Sequence, residues 1–225
     1  MSRIINIAID GPSGAGKSSL AKGIARELGI VYVDTGAMYR SIALFYLREG
    51  IDVSNRDLVI PMLPSISLKI KYINGEQRVL LNGEDVSDLI RTPEISMGAS
   101  AVSAIPEVRA FLLDTQRELA KENSVVMDGR DIGTVILPNA DVKIFLTADN
   151  MKRAIRRYEE LKIKNPDITV ESVYNDIVSR DQNDSTRDVA PAIQAEDAIL
   201  LDNSEFEPQD TLECALKIIR EKVKI

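Results

Sequence analysis

The chain has 225 residues, 44% of them hydrophobic and 28% charged, so it carries enough apolar surface for one larger domain, and disorder is excluded as its main state. It has no histidine and a single cysteine, Cys214, which excludes an imidazole base, a structural zinc site and an intrachain disulfide. With 28 basic against 35 acidic residues the net charge is −7; a general nucleic-acid binder would be basic, whereas an acidic enzyme still holds an anionic substrate if its cations are concentrated in one place.

The apolar run from Ile4 to Ile9 ends at Asp10 and is broken by Gly11-Pro12-Ser13-Gly14-Ala15-Gly16. Leu20, Ile24 and Leu28 then recur at helical spacing, with Gly29 at a C-cap position. Val31-Tyr32-Val33 reads as a second strand, and Ala37 to Arg48 as a helix. The period changes between about Ser65 and Ser87, where Leu68, Ile70 and Tyr72 alternate with lysines. Asn74-Gly75 and Asn82-Gly83 are hairpin-turn signals, so a small antiparallel meander is expected there. Helix follows from Pro106 to Lys121, strand from Ser124 to Asp128, strand from Val142 to Leu146, and helix from Asn150 to Lys162. A helix from Thr169 to Arg180, a strand from Ala198 to Leu201 and a helix from Thr211 to Val223 complete the chain. Short buried strands alternating with helices predict an α/β fold with a five-stranded parallel sheet flanked by helices. No apolar run is long enough to span a bilayer, and no signal-peptide pattern is expected.

Gly11-Pro12-Ser13-Gly14-Ala15-Gly16-Lys17-Ser18 fits G-x-x-x-x-G-K-[ST] and sits between a buried strand and an amphipathic helix, the context a phosphate loop requires. Its backbone N–H groups and the helix N-terminus form an anion cradle. Lys17 reaches the β and γ phosphates of a nucleotide, and Ser18, or Ser19 one residue on, faces Mg²⁺. No N-K-x-D motif of a GTPase is present. A kinase needs a second pocket, for the acceptor, and four segments supply charge for one. Arg40, in Asp34-Thr35-Gly36-Ala37-Met38-Tyr39-Arg40, suits a bidentate phosphate contact, although alone it reads as a solvated helix arginine. Asp128-Gly129-Arg130-Asp131-Ile132-Gly133-Thr134 follows a buried strand, and Asp128 occupies a Walker B position for Mg²⁺ and its waters. Lys152, Arg153, Arg156 and Arg157 are the densest basic cluster, suited to a lid over ATP unless Glu159 and Glu160 neutralise them. Arg180-Asp181-Gln182-Asn183-Asp184-Ser185-Thr186-Arg187, followed by Pro191, reads on its own as a polar loop.

Taken together, these stretches resemble the bacterial cytidylate kinases, P-loop nucleoside monophosphate kinases, in the same order along nearly the whole chain, meander included. The resemblance implies transfer of the γ-phosphoryl group of ATP, with Mg²⁺, to CMP or dCMP. It also implies one P-loop kinase domain over residues 1–225, with an acceptor-binding insert at about 63–95 and a helical lid at about 150–190. By position, Ser100, Arg109 and Asp131 would read cytosine, and Thr35 and Tyr39 would line the acceptor pocket. Arg40, Arg130, Arg180 and Arg187 would surround the acceptor phosphate and the moving phosphoryl group, and Asp184 would contact the sugar. Asn183 stands where some relatives carry another arginine, and Thr35 where some have serine. Phosphoryl transfer suits a chain without histidine, because the acceptor phosphate is already an oxyanion and catalysis rests on positioning and charge. A cytoplasmic monomer is expected, with no nucleic-acid or membrane partner. Two rivals remain open at this point: a P-loop kinase for another small acceptor, and a regulatory module that binds ATP without turning it over.

Overall fold

The computed structural model describes residues 3–163 and 165–224; Met1, Ser2, Lys164 and Ile225, which complete the expected domain and lid ranges, lie outside the described residues. Strands β1 (Asn6–Asp10), β2 (Val31–Asp34), β6 (Val125–Asp128), β7 (Val142–Thr147) and β8 (Ile199–Asp202) form one parallel sheet in the order β2-β6-β1-β7-β8. Side chains alternate across β1. Ile7 and Ile9 pack with Leu20 and Ile24 of α1 (Lys17–Leu28) and Leu216 of α8 (Pro208–Val223). Ala8 faces the other layer, with Met38 and Ile42 of α2 (Thr35–Arg48), Val102 of α4 (Pro93–Ser103) and Leu112 of α5 (Pro106–Glu122). Both faces of the sheet are therefore covered, which is why its strands read as nearly continuous apolar runs.

Between α2 and α4 lie the short α3 (Arg56–Val59), a 3₁₀ turn at Ile60–Ser65, and a three-stranded antiparallel sheet. That sheet consists of β3 (Leu68–Ile73), β4 (Glu76–Leu81) and β5 (Glu84–Asp85). Asn74 and Gly75, and Asn82 and Gly83, all have positive φ, the backbone a two-residue type I′ hairpin demands. The insert docks on the edge of β2 through two side chains: Gln77 accepts from the Asp34 amide at 2.8 Å and donates to the Asp34 carbonyl at 3.1 Å, and Tyr72 Oη donates to the Tyr32 carbonyl at 3.1 Å. A side-chain amide thus satisfies backbone groups that an edge strand leaves open.

Helices α6 (Asn150–Leu161) and α7 (Val170–Thr186) form a hairpin with its own small core of Ala154, Val173 and Ile177. Helix α7 runs on to Thr186, so Arg180–Thr186 is helix rather than loop. The segment holds no Gly or Pro, and the hydroxyls of Ser185 and Thr186 donate back to the Gln182 carbonyl. After β6, residues Ile132–Ile136 form a single π-helical turn that sequence periodicity does not announce.

Candidate active site

The phosphate loop leaves β1 at Gly11, where φ is +142° and a Cβ would fall 1.9 Å from the Leu146 carbonyl oxygen. Only glycine permits that approach to β7. Gly16 caps α1 with φ +89°. The buried Lys17 ammonium donates to the Pro12 carbonyl at 2.6 Å, bracing the loop from inside. Burial, and then the nearby Arg130 guanidinium, hold the Lys17 pKa well below its ordinary value.

The carboxyl end of β6 brings Asp128 to this loop. Ser18 Oγ donates to one carboxylate oxygen at 2.8 Å and Tyr32 Oη to the other at 2.9 Å. Burial, and then the neighbouring Asp34, raise the Asp128 pKa to about 6; burial, and then Asp128, push the Tyr32 phenol up as well. Of the two serines after Lys17, Ser18 is the one turned to Asp128, while Ser19 is exposed on the cleft wall. Thr35 Oγ1 donates to the Asp128 carbonyl at 2.8 Å and so holds the strand end.

A cleft of about 1180 Å³ joins this donor side to Asp34, Arg40, Arg91, Arg130 and Arg180. Asp34 caps α2 through the Ala37 amide and pairs with Arg40 at 2.9 Å. Burial would raise the Asp34 pKa, but Arg40 and Arg91 hold it below the usual range. Arg130 donates to Asp184 at 2.9 Å and to Ser13 Oγ at 2.8 Å. Arg180 has its pKa pulled down to about 10, by burial and then by Arg130. Three buried guanidinium nitrogens, Arg40 Nε, Arg180 Nε and Arg187 Nη2, have no hydrogen-bond partner among the described residues. Buried donors without acceptors are costly, and cations in this state suit an anionic ligand.

Behind the cleft the remaining expected residues meet one another. Arg109 pairs with Asp131 and lies 5.6 Å from the Tyr39 ring centroid. Arg187 lies 3.5 Å from Asp131 and donates to Ser103 Oγ at 2.9 Å. Ser100 Oγ donates to Asp184 at 2.9 Å. Arg130 and Arg180 keep the Asp184 pKa low against the effect of burial. Ser100, Arg109, Asp131 and Asp184 are buried and do not border the cleft, so this set is paired internally. Asp10, at the end of β1, accepts from the Ile132 and Gly133 amides at 2.8 and 2.7 Å and fixes the turn that carries Arg130 and Asp131.

Among the basic residues of the hairpin, Arg156 donates to Asn203 Oδ1 at 3.0 Å, and Asn203 Nδ2 donates to the Ala15 carbonyl at 3.1 Å. Arg157 pairs with Glu160 at 2.7 Å, and Lys152 with Glu205 at 2.5 Å. Tyr32, Gln77, Arg91, Ser103 and Asn203 were not singled out from sequence. Asn203 carried a signal: it directly follows the last parallel strand, and α/β sites gather at the carboxyl ends of strands. Tyr32 and Gln77 carried none, because each looks like an ordinary strand residue.

The cytidylate kinase family model matches residues 7–221. A cytidylate kinase from Caldicellulosiruptor bescii is 49% identical over 98% of this chain and 97% of that protein. One from Solibacter usitatus is 46% identical over 96% and 93%. Among solved structures, an uncharacterized protein from Eubacterium ventriosum aligns with TM-score 0.55 at 15% identity, covering 97% of this chain and 99% of that one. Shikimate kinase from Bacteroides thetaiotaomicron aligns with TM-score 0.51 at 14% identity, covering 99% and 100%; at these identities the likeness is one of fold alone. With a family model over nearly its whole length and relatives approaching half identity, this chain belongs to the cytidylate kinase family.

Proposed function

We propose that the chain transfers the γ-phosphoryl group of ATP to CMP, and to dCMP as a second acceptor, in the cleft between the phosphate loop and the arginine cluster. The observation that carries this reading is the pair of unpartnered nitrogens on Arg40 and Arg180, two cations that line the cleft beside the phosphate loop. In this reading Gly11 to Ser19 hold the ATP phosphates, and Lys17 bears on the β and γ groups. An oxygen of the acceptor phosphate forms the new bond to the γ phosphorus as the bond to the β–γ bridging oxygen breaks, leaving ADP. No proton has to be removed from the nucleophile, so the work of the protein is alignment and charge stabilisation. Arg40, Arg130, Arg180 and Arg187 supply that charge.

The oxygen donors of Ser18 and Asp128, 2.8 Å apart, suit a hard cation that binds few protein groups and keeps water and phosphate ligands. They would hold Mg²⁺, which would neutralise phosphate charge when bound. Ser100, Arg109 and Asp131 would read cytosine, with Tyr39 and Thr35 framing the pocket and Asp184 at the sugar. Because the base-reading residues are paired internally, acceptor entry would exchange these pairs for contacts to the base. The working form in this reading is a cytoplasmic monomer; no described helix is long and apolar enough to cross a membrane. ADP release with Mg-ATP and a panel of CMP, dCMP, UMP, AMP and GMP tests the reading. Strong turnover of CMP and dCMP with weak turnover of UMP is expected, and turnover of AMP or GMP without CMP overturns it.

A further inference from the structure

Ser13, at the crown of the phosphate loop, has each of its three polar groups taken by a different element. Its amide donates to Asp181 Oδ1 of α7 at 2.7 Å, its carbonyl accepts from Arg153 Nη1 of α6 at 2.5 Å, and its hydroxyl accepts from Arg130. Arg153 also donates to Asp181 Oδ2 at 2.6 Å, to the Ala148 carbonyl at 3.0 Å and to Asn150 Oδ1 at 2.6 Å, so every nitrogen of its guanidinium is engaged. Arg153 is only 3% exposed. Neither Arg153 nor Asp181 borders the cleft, whereas Ser13, Gly14 and Arg180 do.

We propose that Asp181 and Arg153 are a positioning pair that clamps the two peptide groups flanking Ser13, setting the phosphate loop against Arg180. The first peptide is held through its N–H and the second through its carbonyl, which together fix both dihedrals at Ser13. In a trans peptide the carbonyl and the following N–H point in opposite directions, and the chain has no cis peptide among the described residues. Drawing the Ser13 carbonyl back to Arg153 therefore turns the Gly14 N–H toward the cleft, as an anion cradle needs. Asp181 directly follows Arg180 in α7, so the same contact sets how far that cleft-facing cation stands from the loop. Arg153, expected from sequence to meet ATP, acts instead through the backbone of Ser13. This inference rests on the kinase reading above.

The test is steady-state kinetics of Asp181→Ala, Arg153→Met and the double variant, with ATP and CMP varied. Each single variant is expected to lose about tenfold or more in kcat, as misplacement of a reacting group does, while KM for CMP stays within roughly twofold. The double variant should lose no more than the worse single one, because both act on one element. Asp181→Asn, which keeps an acceptor for the Ser13 amide, should retain more activity than Asp181→Ala. Unchanged kcat with a lowered Tm, or losses that add in the double variant, would overturn the proposal. If the alanine or methionine variant fails to fold, Asp181→Asn and Arg153→Lys carry the same comparison with smaller losses. Hydrogen exchange of the Ser13 amide should accelerate in Asp181→Ala whatever the acceptor. Wild-type protein without CMP turnover but with that acceleration would therefore count against the kinase reading and leave the clamp standing.

Discussion

Arg130 and Asp184 form an ion pair at 2.9 Å that ties the turn after β6 to the last turns of α7. Asp184 also receives Ser100 of α4, and Arg130 also reaches Ser13 of the phosphate loop. Four segments far apart in sequence thus meet at one pair of charges. A change at either residue should be felt on both the donor and the acceptor side.

Asp131 is the first target for acceptor choice. Asp131→Ala removes the carboxylate that would accept from the cytosine amino group, so the preference for CMP over UMP should narrow by tenfold or more, on the order seen when a polar reader is deleted. It also leaves the buried Arg109 and Arg187 without their shared partner, which should cost about 3–5 kcal/mol of stability. Equal losses with CMP and UMP, measured as kcat/KM on folded protein, would rule out the reading role.

Arg180 offers a separation of stability from activity. Its Nε is buried and unpartnered, and the neighbouring Arg130 repels it. Arg180→Met should lower kcat by at least about a hundredfold, the scale of a lost transition-state contact, while leaving the free protein about 1 kcal/mol more stable. A thermal melt beside a turnover assay decides the matter; a lower Tm would mean that the cation stabilises the free enzyme.

Asp10 should make stability depend on pH. Burial raises its pKa to about 6, against the Ile132 and Gly133 amides and Lys17, which favour the charged form, and with Asp131, which disfavours it. The folded state therefore binds this proton more tightly than the unfolded chain does, where the value is 3.8. Between those two values stability from this group rises as pH falls, and above about 6 the buried charge costs roughly 3 kcal/mol. Asp10→Asn removes the titration, so the wild-type Tm should gain on the variant from pH 7 down to pH 4. A constant difference across that range would show that Asp10 does not titrate in the fold.

Gln77 is expected to hold the insert to the sheet edge. Gln77→Ala leaves the buried Asp34 amide and carbonyl without partners, at a cost of about 1–3 kcal/mol. Hydrogen exchange at the Asp34 amide should accelerate; unchanged protection would show that the insert docks by other contacts.

What the sequence determined by itself is what depends on neighbours along the chain. The loop from Gly11 to Ser18 needs its glycines for backbone reasons, and the two Asn-Gly pairs demand positive φ wherever the hairpins lie. The central strands β1, β6 and β7 are apolar because both faces of the sheet are buried there. The resemblance brought forward Ser100 and Arg109, whose local patterns are those of any helix. Tertiary structure decided where neighbours come from distant segments. Helix α7 continues past Arg180 because Asp184 finds Ser100 and Arg130 there, and a spacing of four residues then carries Arg180 and Asp184 along one face, with Arg187 in extended backbone just past the helix end. Arg153 is turned away from the cleft, because Ser13, Asp181, Ala148 and Asn150 take four of its five N–H donors. A guanidinium has five donors and no preference written in its own sequence for which acceptors fill them. That choice belongs to the packing of α6 and α7 on the phosphate loop, which no local pattern encodes.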